Sequence, residues 1–156
     1  MAAGVQRSID LLLPAFALRV RKLVTAMSAR GLDPKVWETL RSPERAAVLA
    51  KKGASKNGAR SLHCYACAAD IVSASALWGD PAFFRALGEE AQSLGLTWGG
   101  DWDGNPATRE RFVDSPHVQA VPVGMQEKLR ALPTDSERNV FIEAVMLRLE
   151  RDRRAS

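Results

Sequence analysis

The sequence has 156 residues, of which 46% are hydrophobic and 26% charged, a composition typical of one globular domain. This excludes a disordered or low-complexity chain, and no apolar run is long enough to span a membrane. Lysine and arginine total 22 against 18 aspartate and glutamate residues, and the net charge of +4 suits a polyanionic partner without identifying it. Two cysteines, Cys64 and Cys67, are too few for a disulfide framework or a four-cysteine zinc site.

Hydrophobic spacing and capping residues predict four helices and four short strands. In chain order these are a helix over 8–30, a strand over 35–40, a helix over 43–52, a strand over 66–74, a helix over 81–94, a strand over 96–98, a strand within 113–121 and a helix from 135 to about 154. Pro14 marks either the true start of the first helix or a kink in it. Helices and strands mix without a regular βαβ rhythm, which indicates an α+β fold.

The final helix begins with a capping box, since Thr134 is followed three residues later by Glu137. Its apolar residues are expected on one broad face that packs against the rest of the chain. The residues assigned to that face are Val140, Phe141, Ala144, Val145 and Leu149.

Two histidines and one aspartate are candidates for a metal site. Asp70 lies in the apolar run 67–72, where an unpaired carboxylate is costly to bury. With His63 and His117 it would form a common catalytic zinc set, which leaves the fourth position for water. The alternative is that Asp70 caps a turn and that both histidines are incidental.

Four separated motifs carry a family resemblance. They are Ser61-x-His63-x-x-x-x-Ala68-x-Asp70, Trp98-Gly99-Gly100-Asp101-Trp102, Asp114-x-x-His117 and the segment Glu38-Thr39-Leu40-Arg41-Ser42-Pro43-Glu44-Arg45. In order, spacing and chemistry they resemble the peptidoglycan peptidases of the D-alanyl-D-alanine carboxypeptidase and L-alanyl-D-glutamate endopeptidase group, many of which are phage endolysins. The resemblance runs over about 10–121 and implies the hedgehog/DD-peptidase fold, a small antiparallel sheet flanked by helices in a single domain. Residues 1–122 would then form a zinc peptidase domain and 123–156 a helical extension packed on or appended to it.

The resemblance also implies roles for the site residues. His63, Asp70 and His117 would bind one Zn²⁺, and Asp114 would be the catalytic base. Arg41 resembles the family arginine that binds substrate or the developing oxyanion, with a surface ion pair as the alternative. Substrate-binding or supporting roles would fall to Ser61, Trp98, Asp101 and Trp102, although the two tryptophans are equally expected in the core.

The sequence departs from the family pattern in three places. Ala66 replaces a glycine, Ala46 and Ala47 stand in the region of a glutamine, and Val118 replaces a phenylalanine. Because alanine tolerates positive φ poorly, the backbone at residue 66 is either ordinary or follows a different path. Cys64 and Cys67 are expected to be reduced, partly buried thiols, with a redox pair or extra zinc ligands as alternatives.

The predicted function is a zinc metallopeptidase that cuts the L-alanyl–D-glutamate bond of the peptidoglycan stem peptide. One alternative is a D-alanyl-D-alanine carboxypeptidase. The other is a non-hydrolytic, zinc-containing wall-binding module, which would not need the base expected at Asp114. A nucleic-acid partner is not expected, because the net positive charge is the only feature that favours it and the sequence has no recognition motif. With no signal peptide apparent, we expect a monomeric phage or prophage lysin that stays in the cytoplasm until it is released to the cell wall.

Overall fold

The computed structural model describes residues 4–55 and 57–156, and in these ranges helices surround one antiparallel sheet of four strands. The helices are α1 (Pro14–Ala29), α2 (Pro43–Lys51), α3 (Pro81–Ser93), α4 (Gln126–Ala131) and α5 (Asp135–Ala155), and the strands are β1 (Pro34–Glu38), β2 (Ala68–Ser73), β3 (Thr97–Trp98) and β4 (His117–Gln119). This confirms the predicted α+β class. Within the described ranges no helix combines the length and apolarity needed to cross a membrane.

The helices begin where the capping residues of the sequence indicate. Pro14 is the first residue of α1, and a separate 3-10 turn, Ile9–Leu11, precedes it, so the alternative of a kinked longer helix is wrong. The side chains of Ser42, Asp80 and Thr134 each accept a hydrogen bond from a backbone N–H in the first turn of the helix that follows. Each cap satisfies an N–H group that has no partner within the helix.

The sheet has the strand order β1-β2-β4-β3, with β2 and β4 in the centre. The register pairs Glu38 with Asp70 across β1 and β2, and Asp70 with His117 across β2 and β4. These three side chains therefore stand in one row across three neighbouring strands. Pairing of strands that lie far apart in the chain thus brings together residues separated by 79 positions in the sequence.

Helix α5 packs against α1 and α3 with a face that agrees only in part with the predicted one. As predicted, Val145 is buried and Phe141 and Leu149 pack partly against the core, and Ile142 and Met146 are buried as well. Val140 is 71% exposed and Ala144 is also exposed, so the prediction was wrong for these two residues. Polar contacts fix the rotation of the helix. Asn139 accepts a hydrogen bond from the N–H of Ala15 (2.8 Å), and Glu150 pairs with Arg19 (3.0 Å). The division of the chain at residue 122 stays a prediction.

Ala66 has φ 58° and ψ 31°, the left-handed region that alanine rarely adopts, and it ends the 3-10 turn Leu62–Tyr65 just before β2. The backbone at this residue is therefore not ordinary.

We expect Ala66→Gly to relieve strain, because a left-handed L-residue costs about 1–2 kcal/mol. Part of that gain is offset by the lost burial of one methyl group and by the greater entropy of glycine in the unfolded chain. The matched control is Ala47→Gly on the exposed side of α2, which loses about 1 kcal/mol through helix propensity. In urea titrations Ala66→Gly should be about 1 kcal/mol more stable than the control. Equal losses for both variants would contradict strain at Ala66.

Candidate metal centre

Three potential ligands, which the sequence analysis singled out, meet in the structure. Asp70 Oδ1 lies 3.3 Å from His63 Nε2 and 3.3 Å from His117 Nδ1, and the imidazole rings are 5.2 Å apart. His63 and His117 are both buried, while the Asp70 side chain is 18% exposed. Each ligand comes from a different element: His63 from the 3-10 turn before β2, Asp70 from the centre of β2 and His117 from the start of β4. The three atoms lie close enough to hold a single metal ion.

Hydrogen bonds at the far side of each ring fix the tautomers of the two histidines. His63 Nδ1 lies 2.8 Å from the carbonyl oxygen of Thr39, which only accepts, so Nδ1 carries the proton. His117 Nε2 lies 2.8 Å from Gln119 Oε1, and the Gln119 amide donates to the carbonyl of Val121, which orients it as an acceptor. The lone pairs of His63 Nε2 and His117 Nδ1 therefore face Asp70. Partners of this kind orient metal-ligating histidines in general.

Gln119 was not among the residues predicted from the sequence. It lies two positions after His117 on β4, so strand alternation places both side chains on one face of the sheet. Its amide also donates to Gln126 Oε1 (3.0 Å) at the start of α4, which links the last part of the chain to the metal centre. The sequence feature that could have identified Gln119 is its position two residues after His117 within one strand.

The electrostatics of Asp70 fit a bound cation. Its Oδ1 is buried and has no hydrogen-bond partner among the described residues. Burial by itself would raise the pKa of Asp70, but positive charge on His63 and His117 outweighs burial and holds this pKa well below its usual range when the rings are protonated. With neutral rings, whose lone pairs face the carboxylate, that positive charge would have to come from a cation. A cation between the carboxylate and the two lone pairs would satisfy all three atoms. The donor set of two imidazoles and one carboxylate is one that zinc accepts.

Asp114 stands beside the three ligands rather than among them. Its Oδ2 lies 3.9 Å from His117 Nδ1, and its side chain is 38% exposed to the cleft. A turn separates the two residues, since the N–H of His117 donates to the carbonyl of Asp114 (3.1 Å). Burial raises the pKa of Asp114 and neighbouring Asp70 adds to the increase, while His117 opposes it. Asp114 is thus a solvent-reachable carboxylate next to the metal position.

Gly99 fixes the position of Asp114 through the backbone. Its N–H donates to the carbonyl of His117, and its own carbonyl accepts from the N–H of Asp114, both at 2.8 Å. A Cβ added at Gly99 would lie 2.3 Å from the carbonyl oxygen of Asp114, a distance that no side-chain rotation relieves.

We expect Gly99→Ala to lower the free energy of unfolding by about 1–3 kcal/mol, because this backbone must move. Gly124→Ala is the matched control, since a Cβ there meets nothing within 4 Å, and it should change stability by less than about 0.5 kcal/mol. Chemical denaturation measures both values. If the two variants were equally stable, the close approach at Gly99 would not constrain the fold.

Arg41 is held in an ion pair, as the alternative prediction had it, but the pair is buried rather than at the surface. Its Nη2 lies 2.9 Å from Glu38 Oε1, and Glu38 is only 2% exposed. Arg45 binds the other oxygen of the same carboxylate (2.5 Å). Burial would raise the pKa of Glu38, but hydrogen bonds from the two arginines outweigh it and lower this pKa. Sequence reasoning missed Glu38 as a site residue, although it lies three positions before Arg41.

Of the four residues predicted to bind substrate or support the site, Ser61 and Trp102 line the cleft. Ser61 Oγ accepts from the N–H of His63 (3.3 Å) and lies 3.4 Å from Arg41 Nη1. The Trp102 ring lies 5.4 Å from the His117 ring and forms part of the wall.

Trp98 and Asp101 lie outside the lining of this cleft and brace the neighbouring backbone instead. Trp98 donates from Nε1 to the carbonyl of Ser115 (2.7 Å), next to Asp114. Asp101 is 9% exposed and accepts a hydrogen bond from Gln92 (3.0 Å).

The two cysteines are free thiols in the structure. Cys67 is buried, and burial raises its pKa to about 12. Partial burial also raises the pKa of Cys64. Neither residue lines the cleft that holds the metal centre. These environments favour reduced, unreactive thiols over a redox pair.

The cleft above the metal centre has a volume of about 1060 Å³, and its lining combines aromatic side chains with charged side chains of both signs. Arg41, Arg45, Arg109 and Arg111 line it, and Trp102 and Phe112 contribute aromatic surface. A cleft of this size accommodates several residues of a peptide-like ligand. The positive side chains suit carboxylate groups on such a ligand.

Comparison with known proteins shows which family the central part of the chain resembles. Residues 54–120, which include His63, Asp70, Asp114 and His117, match the family model of D-alanyl-D-alanine carboxypeptidase. The match covers 67 of the 156 residues, so it places this segment of the chain, rather than the whole chain, beside the family. It confirms the resemblance for the three motifs that lie within 61–117, while the segment 38–45 lies outside the match.

Two curated relatives support the same resemblance. The chain is 36% identical over 104 residues to the L-alanyl-D-glutamate peptidase of a Listeria phage, a match that covers 64% of this chain and 34% of the relative. It is 29% identical over 121 residues to the peptidoglycan L-alanyl-D-glutamate endopeptidase CwlK of Bacillus subtilis, covering 64% of this chain and 68% of that protein. The chain therefore spans only about a third of the length of the phage relative.

A solved structure shares the fold of this chain. The L-Ala D-Glu endopeptidase ChiX of Serratia marcescens superposes with a TM-score of 0.53 at 24% sequence identity, over 76% of this chain and 87% of that one. At this identity the likeness concerns the fold, and it confirms the predicted single-domain architecture of a small antiparallel sheet flanked by helices.

Proposed function

We propose that the chain is a zinc-dependent peptidoglycan peptidase that cuts the L-alanyl–D-glutamate bond of the stem peptide. The observation that carries this proposal is that His63 and His117 both approach Asp70 Oδ1 in an open cleft. Among the residues that the structure describes, this buried oxygen has no hydrogen-bond partner. The names of the phage and Bacillus relatives support the choice of bond. Peptidoglycan is accordingly the proposed partner.

The metal site would use His63 Nε2, Asp70 Oδ1 and His117 Nδ1 as ligands for one ion. When bound, Zn²⁺ supplies Lewis acidity, which polarises the scissile carbonyl and makes water a nucleophile near neutral pH. The hydrogen bonds from His63 to Thr39 and from His117 to Gln119 hold both rings in the ligating tautomer. Zinc is proposed over other divalent ions because of its preference for this donor set.

Asp114 is the proposed general base. A carboxylate beside the attacking water takes its proton and then passes it to the leaving amine of D-glutamate. The raised pKa of Asp114 brings the group nearer to the range in which it both accepts and returns a proton, and a bound dication would oppose part of that increase. A non-hydrolytic binding module has no use for a base in this position.

Arg41 is proposed to bind a substrate carboxylate or the developing oxyanion. Glu38 fixes its guanidinium from one side, and Ser61 lies beside it on the cleft wall. Because Glu38 is shared with Arg45, the three charges leave one net positive charge at this wall. A preorganised cation of this kind stabilises negative charge that develops in the transition state.

Cleavage of the terminal D-alanyl–D-alanine bond is the second candidate activity, because the matching family model is described as a D-alanyl-D-alanine carboxypeptidase. We further propose a monomer without a nucleic-acid partner that acts on the wall after release from the cytoplasm. The proposed domain boundary lies at residue 122.

Digestion of purified peptidoglycan with the zinc-loaded protein tests the proposal, with fragments identified by mass spectrometry. The expected products are peptides with a free D-glutamate amino end, left by cleavage after L-alanine. Chelation should abolish their release and zinc should restore it. Loss of single D-alanine residues would instead establish the carboxypeptidase. Zinc and wall binding without any released product, from several wall types, would establish the non-hydrolytic module.

A further inference from the structure

Two backbone irregularities bring a pair of tryptophans, Trp37 and Trp78, to the rim of the cleft. The first irregularity is a bulge in β1. Val36 pairs with Ile71 and Glu38 pairs with the next residue of β2, Asp70, so Trp37 is the extra residue on its strand. A bulge redirects a side chain and is common next to functional sites. Trp37 consequently lines the same cleft as the metal centre.

The second irregularity lies in the turn after β2. Leu77 has φ 51°, a strained value for a residue other than glycine, and it directly precedes Trp78. Asp33 braces this turn, since its carboxylate accepts from the Ser73 hydroxyl and from the Ser75 N–H, both at 2.9 Å. The strain is therefore maintained by a defined set of hydrogen bonds. Its effect is to hold Trp78 at 50% exposure beside the cleft.

The two indole rings meet edge to face, with centroids 4.9 Å apart. Trp37 is itself fixed, because the Arg7 guanidinium lies 4.7 Å from its ring centroid and Arg7 Nε donates to its carbonyl. Trp78 also lines a second, smaller cavity together with Asp114. Trp78 thus exposes half of its indole at two cavities that Asp114 also lines. A tryptophan with one side packed and the other in water is enriched at binding surfaces.

We propose that Trp37 and Trp78 form a platform for an amino-sugar ring of the glycan strand. This rests on the proposed function, because the L-alanine of the scissile bond is joined directly to the muramyl sugar. The C–H face of a pyranose ring packs against an indole, while its hydroxyl and amide groups stay in water. Trp78 provides the half-exposed ring, and Trp37 with Arg7 keeps that ring in place.

The test compares two substrates that share the scissile bond. One is a disaccharide-linked stem peptide, and the other is the same peptide without sugar. The parent should prefer the disaccharide-linked peptide, measured as its kcat/KM divided by the kcat/KM of the peptide without sugar. For Trp78→Ala we expect this preference to fall about tenfold, which corresponds to the loss of one aromatic contact of about 1.4 kcal/mol. Trp78→Phe should recover most of this preference. Leu147→Ala removes a comparably exposed apolar side chain on α5 and should leave both rates unchanged.

Equal losses on both substrates, or an unchanged ratio, would overturn the platform. A binding experiment, which requires no cleavage, distinguishes failure of the platform from failure of the proposed function. Soluble N-acetylglucosamine oligomers should shift the NMR signal of the Trp78 indole N–H, which is assigned by its absence in Trp78→Ala. A chain that cleaves neither substrate but shows this shift keeps the platform and loses the peptidase assignment. A Trp78 signal that does not move at saturating oligomer overturns the platform.

Discussion

Replacing Asp114 with asparagine is expected to lower kcat on peptidoglycan by about 10²–10⁴-fold while zinc stays bound. The amide keeps the size of the side chain but cannot accept the proton of the attacking water. Because Asp114 Oδ2 lies 3.9 Å from His117 Nδ1, next to the ligand set rather than within it, the metal should be retained. Turnover on solubilised peptidoglycan and zinc content after gel filtration measure the two effects separately.

The matched control for Asp114→Asn is Asp152→Asn, which removes the same charge from an exposed position on α5. It should leave both turnover and zinc content unchanged. An Asp114→Asn enzyme with nearly full kcat would contradict the role of Asp114 as the base. Loss of zinc together with activity would instead make Asp114 a ligand.

Replacing Glu38 with glutamine is expected to destabilise the fold by about 3–5 kcal/mol, because the buried Arg41 and the partly buried Arg45 lose the carboxylate that neutralises them. Glu38 is 2% exposed, and its shortest contacts to Arg41 and Arg45 use different carboxylate oxygens. Urea titration of both proteins measures the difference. Glu89→Gln is the control, since its pair with Arg30 is exposed and should contribute less than about 1 kcal/mol.

The effect of Glu38 should also depend on pH. Its pKa is lowered in the folded state, so its stabilising contribution is full above the unfolded pKa of about 4.3 and declines as the pH falls toward the folded value. The stability curves of the parent and Glu38→Gln should therefore converge in acid. A gap that stays constant from neutral pH down to pH values well below about 4 would show that Glu38 acts through shape rather than charge.

Local sequence signals were sufficient for the parts of the structure that depend on neighbouring residues. Capping at Ser42, Asp80 and Thr134 placed three helix starts, and Pro14 was one of two alternatives for the start of the first helix. The cost of a buried carboxylate singled out Asp70, but the residues alone left open whether it meets His63 and His117, and that expectation came from the family resemblance.

Features that depend on contacts distant in sequence were missed. The rotation of α5, which exposes Val140, is decided by Asn139 and Glu150 meeting residues of α1. The left-handed backbone at Ala66 contradicts the intrinsic preference of alanine, so no propensity argument predicts it. The role of Glu38 depends on its burial, and its spacing from Arg41 alone does not distinguish a buried pair from an exposed one.

The meeting of His63, Asp70 and His117 at one metal ion is the claim on which the mechanism depends. X-ray absorption at the zinc edge of the stoichiometrically loaded protein tests it most directly. The expected spectrum shows two imidazoles and light oxygen ligands at about 2.0–2.1 Å, with no sulfur near 2.3 Å, and His117→Ala should lose high-affinity zinc. A sulfur shell from Cys64 or Cys67, or unchanged zinc affinity in His117→Ala, would contradict the account.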